Sequence, residues 1–230
     1  MLTWAWFVLL SAKIEELKKD KISKLISSRI KEFKTKRSSE EVFSELCFCI
    51  LTANFNAERS IQIQEQIREK GFLNFPEQKL ASKLKELGHR SPNTRAKYIV
   101  EARGQVGKIY SLIGEKDSIS QTKEKLKQKE SSTAPEIRNW LVKNINGLGL
   151  KESSHFLRNI GFEDFAIIDF HIVDLLVREG LIVKQKPGAL APKIYREIEQ
   201  ALVKLGKKTD LNLAELDLYL WYLETGKVLK

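Results

Sequence analysis

At 230 residues the chain is long enough to bury one substantial core or two smaller ones. Its 40 lysines and arginines against 30 aspartates and glutamates leave a net charge of +10, which suits a polyanionic partner held with salt-sensitive affinity. The same surplus occurs in heat-adapted proteins, so charge alone names no partner. Two cysteines exclude a four-cysteine metal site, and three scattered histidines argue against a transition-metal centre.

The chain begins MLTWAWFVLL, an apolar run too short to span a bilayer and not preceded by the positive residue that a secretory signal carries. A segment packed on the protein, or an extension outside the common fold, is expected; a signal-like region ending at Ser11-Ala12 is the lesser reading. From 12 to 36, Ile14, Leu17, Ile22, Leu25, Ile26, Ile30 and Phe33 form an apolar stripe against a lysine-rich face, an amphipathic helical pattern. Ser38 with Glu41 makes a capping box that opens EVFSELCFCILTAN, apolar nearly all round and so a central helix. Cys47 and Cys49 lie two residues apart, where helical side chains do not face each other. Buried reduced thiols in a reducing cytoplasm are expected.

Helices are predicted at 57–70, at 76–87 with Pro76 in the first turn and Gly88 past the end, and at 92–106 after Ser91-Pro92. Gly114 to Ser132 is polar and lysine-rich, an exposed helix plus loop, and Pro135 starts the next helix. Beyond Asp169 come a helix to Gly180, a connection around Lys186-Pro187-Gly188 and a helix from Pro192 to near Gly206. A second capping box, Asn212 with Glu215, opens AELDLYLWYLETG. No period-two strands or internal repeats appear, so the fold class is all-α with short connections.

The chemistry is concentrated in residues 140–174, WLVKNINGLGLKESSHFLRNIGFEDFAIIDFHIVD. Gly147-Leu148-Gly149 separates a helix carrying Trp140, Leu141 and Ile145 from one carrying Leu150, Phe156, Leu157 and Ile160, the pattern of a tight hairpin between helices. Backbone N–H groups at the start of the second helix form a natural seat for a phosphate oxygen. Lys151 falls in the first turn of that helix, where the dipole disfavours an ammonium, and a neutral lysine is a nucleophile. Eighteen residues later Asp169 follows the apolar Phe165-Ala166-Ile167-Ile168 and opens the next helix, where a carboxylate is stabilised as the anion. The plainer alternatives are a solvated surface lysine, a simple N-cap and a hairpin that only grips backbone.

Together, the Gly-x-Gly-x-Lys pentad and the downstream aspartate resemble the helix-hairpin-helix superfamily of DNA glycosylases that also act as lyases. The segment FSELCFCILTAN from Phe43 to Asn54, the Gly88-His89-Arg90 turn, and the ending from Asp217-Leu218-Tyr219-Leu220-Trp221-Tyr222 to Lys230 are similar to the second class of 8-oxoguanine DNA glycosylase/lyase, found in archaea and some bacteria. The resemblance covers about residues 12–230 and is weakest over the first ten residues and around 114–132. The two cysteines separate the chain from the iron-sulfur branch, which needs four.

The resemblance implies two helical lobes with an active-site cleft between them, one of residues 40–163 ending in the helix-hairpin-helix, the other of 1–39 with 164–230. It implies a monomeric, cytoplasmic base-excision repair enzyme whose partner is double-stranded DNA containing an oxidised guanine, with no membrane, no cofactor and no catalytic metal. Hairpin carbonyls in the family can hold a structural monovalent cation. Lys151 would attack C1′ of the sugar as the base departs, Asp169 would stabilise the cationic sugar, and β-elimination would cut the strand. Gly147, Leu148 and Gly149 would hold the DNA backbone. For the flipped base, Lys230 matches a terminal lysine that reads oxidised guanine, and Trp221 would stack on or wall it. A frayed terminus and a core tryptophan are the alternatives for these two. Asn54 would be a pocket donor or a C-cap, and His155 would border the pocket; His89 and His171 are expected to be structural. Two other functions stay open: the same chemistry on another damaged or mispaired base, and a non-catalytic helix-hairpin-helix DNA-binding module.

Overall fold

The structure, a computed structural model, describes residues 4–119, 133–185 and 188–230. Readings made for residues 1–3, for 120–132 and for Lys186-Pro187 lie outside the described residues. Within the described residues all regular structure is helical, as the apolar periodicity predicts: α1 (Trp4–Lys19), α2 (Ile22–Phe33), α3 (Ser39–Thr52), α4 (Ala57–Asn74), α5 (Glu77–Glu86), α6 (Pro92–Ala102), a 3-10 turn (Arg103–Gln105), α7 (Val106–Ile119), α8 (Ala134–Asn144), α9 (Leu150–Asn159), α10 (Phe170–Arg178), α11 (Pro192–Thr209) and α12 (Leu213–Thr225). The chain divides into two compact units, a central one of residues 36–156 and a terminal one in which residues up to 35 join those from 157 onward.

The central unit is built on α3. Ser38 starts it as a reciprocal cap: its hydroxyl accepts from Glu41 N–H at 3.2 Å while its own N–H donates to Glu41 at 2.7 Å. Every residue from Val42 to Thr52 is buried, because the helix packs against α4, α6 and α7. Cys47 and Cys49 are buried there and form no disulfide, and burial pushes the Cys47 thiol well above its ordinary range, which leaves it inert. Past the end of α3, Ala53 is extended and Asn54 takes a left-handed φ of 56°. Side chains from the 89–95 stretch satisfy the carbonyls there: His89 Nε2 lies 3.1 Å from Leu51 O, Arg95 donates to Ala53 O at 2.7 Å, and Arg90 donates to Asn54 O at 3.2 Å.

In the terminal unit α12 is the hub, packing against α1, α2, α10 and α11. Asn212 and Glu215 cap it reciprocally, as the sequence predicts, and its first two turns are almost wholly buried. The stripe expected over 12–36 is two helices. Asp20 breaks it, its side chain accepting from Ile22 N–H at 3.1 Å in place of a helical bond. The first of them reaches back into the apolar start, with Leu10 and Ile14 fully buried while Val8 and Leu9 stay exposed. Gly206 does not end α11, which continues to Thr209 before a left-handed Asp210. A Cβ at Gly206 would stand 2.7 Å from Leu211 O, so glycine serves the close return of the chain.

Candidate active site

The hairpin lies between α8 and α9. Gly147 adopts a φ of +89°, and a Cβ added there would meet the Tyr98 ring at 2.7 Å. One face of α6 buttresses this turn: Tyr98 packs on Gly147, Glu101 accepts from the Asn146 amide at 2.9 Å, and the Arg95 guanidinium lies beside it. The Leu148 side chain is buried, so only its backbone is available to a ligand, and its N–H turns back to Ile145 O at 3.2 Å.

Gly149 does not have a positive φ; its special feature is the carboxylate of Glu152, which takes its N–H at 3.1 Å. Glu152 is the third residue of α9 and reaches back to the amide before the helix, as the acidic member of a capping box does. Its other oxygen lies 3.0 Å from the Nζ of Lys151, in the first turn of α9 as the sequence predicts. The Lys151 side chain retains 27% of its exposure. One of the amides that the sequence offers to an anion is thus engaged by a carboxylate of the chain itself.

Asp169 is the N-cap of α10, its carboxylate accepting from Ile172 N–H at 3.0 Å. It is half-buried at the end of the buried, non-helical segment Phe165 to Ile168. That segment is held by α12 and α11. Asp217 accepts from Ile167 N–H at 2.7 Å, and the Tyr195 hydroxyl donates to Ala166 O at 3.3 Å. The other oxygen of Asp217 pairs with Arg158, and both side chains are only 4% exposed. Arg158 also donates to the Asn159 side-chain Oδ1 at 3.1 and 2.9 Å and lies 5.0 Å from the Phe33 ring centroid.

Among the base-reading candidates, Trp221 on α12 is half-buried and meets the His171 ring edge-on at 4.8 Å. His171 in turn stacks at 3.9 Å on Phe170, which is 68% exposed. The histidine expected to be structural thus sits in an aromatic row directly after Asp169. Lys230 is half-buried beyond Gly226, which ends α12. Asn54 is exposed in the left-handed turn after α3, the position of its C-cap alternative. His155 is buried in the central unit, edge-on to Phe48 at 5.3 Å. His89 accepts from Ser91 N–H at its Nδ1, 3.1 Å away, so its Nε2–H donates to Leu51 O; it ties the turn to α3.

Glu152, the Arg158–Asp217 pair and the α6 buttress stand outside the residues that the sequence singles out. Glu152 was legible as the last member of a Gly-x-x-Glu capping spacing. Asp217 stands among Leu216, Leu218, Tyr219 and Leu220, and a carboxylate inside an apolar helix needs a buried partner. The described residues contain no cluster of three or more His, Cys, Asp or Glu able to hold a metal, and no helix long and apolar enough to cross a membrane.

Comparison with known proteins gives a consistent match. The family model described as 8-oxoguanine DNA glycosylase matches residues 26–211. An 8-oxoguanine DNA glycosylase/AP lyase of Korarchaeum cryptofilum is 47% identical over 217 residues, 94% of this chain and 96% of that protein. The crystal structure of the Methanocaldococcus jannaschii 8-oxoguanine glycosylase/lyase in complex with a 15mer DNA containing 8-oxoguanine superposes with a TM-score of 0.83 at 46% identity, covering 96% of this chain and all (100%) of that one. The 8-oxoguanine DNA glycosylase of Thermotoga maritima gives a TM-score of 0.84 at 38% identity, covering 97% and 100%.

Proposed function

The chain belongs to the 8-oxoguanine DNA glycosylase family, and we propose that it removes 8-oxoguanine from double-stranded DNA and then cuts the strand at the emptied site. The observation that carries this reading is Lys151 in the first turn of α9, directly behind a hairpin whose backbone requires glycine at position 147.

A base inside a duplex is out of reach, so the damaged nucleotide is extruded, at a cost that phosphate contacts offset. The net charge of +10 and the hairpin backbone at Gly147, Leu148 and Gly149 supply those contacts. Lys151 attacks C1′ as the free amine while the bond from C1′ to the base breaks. Positive charge develops on the sugar, and Asp169, an anion held at a helix start, stabilises it. The attacking amine gives up a proton to the departing base, and the C1′–O4′ bond then opens with protonation of O4′, which leaves the lysine bonded to C1′ as a Schiff base. Loss of a proton from C2′ then expels the 3′ phosphate by β-elimination, and water releases the lysine. None of these steps requires a metal or cofactor.

Trp221 walls the flipped base and Lys230 reads it in this proposal. Asn54 and His155 complete the set with weaker support, since one occupies a turn and the other packs on Phe48. The division into lobes 40–163 and 1–39 with 164–230 belongs to the same reading. So does action as a monomer in the cytoplasm, a reducing compartment suited to two buried cysteines that form no disulfide.

Borohydride trapping on a duplex carrying 8-oxoguanine tests the proposal. The native chain forms a covalent adduct and Lys151→Gln does not, while Asp169→Asn slows base release by orders of magnitude and binds DNA near normally. No adduct with the native chain, or an undiminished one with Lys151→Gln, overturns it. A lesion panel in which another base is released faster moves the substrate within the superfamily, and binding without cutting of any lesion reduces the chain to a DNA-binding module.

A further inference from the structure

Asp169 sits at the end of a segment with no regular structure, yet its carboxylate has one task in the reading above, and that task depends on where it is held. All four side chains of Phe165-Ala166-Ile167-Ile168 are apolar, and the tie from this segment to Asp169 is through backbone, the Asp169 N–H donating to Ile167 O at 3.0 Å. The segment is fixed from outside. Asp217 takes the Ile167 N–H at 2.7 Å, two residues before Asp169, and Trp221, one turn further along α12, meets His171 at 4.8 Å, two residues after it. A single helix therefore touches the chain on both sides of Asp169.

Of these two contacts, the one at Asp217 is built like a fixed point. Its side chain is 4% exposed, and its second oxygen is engaged by the equally buried Arg158. Arg158 is itself anchored through Asn159 at 2.9 Å and against Phe33 at 5.0 Å. Removing an ion pair of this kind from water is costly, and replacing it by apolar packing is often at least as stable, so stability alone is a poor account of its presence. A rigid acceptor aimed at one backbone N–H is what the contact adds.

We propose that Asp217 is a positioning residue for the reaction: clamped by Arg158, it fixes the backbone at Ile167 and thereby sets the Asp169 carboxylate where the sugar's positive charge develops. The inference rests on the role given to Asp169 above. Charge stabilisation of that sort is sensitive to displacement, and a shift of about 1 Å costs on the order of 100-fold in rate. Asp217→Asn faces two donors with only one acceptor, so it must abandon either Ile167 or Arg158.

Single-turnover release of 8-oxoguanine, DNA affinity and amide exchange are measured for the native chain, Asp169→Asn, Asp217→Asn and the double variant. Asp217→Asn is expected to slow base release by about 10- to 100-fold, with DNA affinity within about threefold and faster exchange at Ile172 N–H, the donor to Asp169. In the Asp169→Asn background the same change adds less than about threefold, because both act through one carboxylate. A native rate in Asp217→Asn, the same slowing in both backgrounds, or unchanged exchange at Ile172 overturns the proposal. A native rate in Asp169→Asn alone overturns the assignment of Asp169, a distinct failure that removes this inference with it. Asp217→Ala extends the series where it folds, and the asparagine variant decides where it does not.

Discussion

The Nζ of Lys151 lies 3.0 Å from Oε1 of Glu152, whose Oε2 accepts the Gly149 N–H at 3.1 Å. The carboxylate therefore stands where an anion would bind to the hairpin, beside a cation that would attract it. Glu152→Ala frees that amide and makes the hairpin one unit more positive. Affinity for undamaged duplex should rise about 3- to 10-fold at low salt, and the gain should fade as salt screens it. The same change removes a cap and lowers stability by about 1 kcal/mol. Filter binding across a salt series, with a parallel urea melt, checks both. Weaker binding at low salt would show that Glu152 does not compete with phosphate.

Gly147 and Gly149 look equivalent in the sequence and differ in the structure. Gly147→Ala places a side chain at φ +89°, a cost of about 1–2 kcal/mol, and drives a Cβ to 2.7 Å from the Tyr98 ring. Gly149→Ala meets only the end of the Glu152 side chain, at 3.1 Å. Denaturant unfolding should show the first substitution to be clearly the more damaging. Adding Tyr98→Ala to Gly147→Ala should relieve the steric part and leave the backbone part. Equal costs at the two positions would contradict this account.

Helix existence, the capping boxes at Ser38 and Asn212 and the hairpin were all legible in the sequence because each depends on residues three or four apart. The first turn of α9 could be assigned to Lys151, and the cap of α10 to Asp169, for the same reason. What could not be read were partners distant in the chain. Arg158 meets Asp217 across 59 positions, and Tyr98 meets Gly147 through packing of α6 that no local spacing announces. The break at Asp20 was missed because the apolar stripe continues through it. A side-chain bond to Ile22 N–H outcompetes the helical one there without altering the pattern of burial.

His89 should make the central unit acid-sensitive. Burial, the dominant influence, with Arg95 and Arg90 nearby, holds its pKa below the ordinary 6.5, against the hydrogen bond to Leu51 O that favours the charged ring. The unfolded chain then takes up a proton near pH 6.5 that the folded chain still refuses. The contribution to stability is complete above that pH and is lost as pH falls from there through the folded value. Urea midpoints measured between pH 7.5 and 5 should decline for the native chain, and the part due to this ring should be missing in His89→Gln. A parallel decline in both would assign the acid sensitivity elsewhere.

Asp217 should act in the opposite sense. Burial pushes its carboxyl up to about 6 from an ordinary 3.8, outweighing Arg158 and the Ile167 N–H, and the charge of Asp169 adds to the rise. Between those two values the folded chain retains a proton that the unfolded chain has released. Its contribution is therefore full below pH 3.8 and declines as pH rises to about 6, by about 3 kcal/mol in total. Asp217→Asn cannot titrate, so the stability advantage of the native chain over this variant should shrink by most of that amount between pH 4 and pH 7. Urea melts of the pair at unit pH intervals give the difference directly, since other titrating groups cancel between them. A difference that stays flat would mean that Arg158 keeps the carboxylate ionised across the whole interval, with the ion pair rather than burial in control.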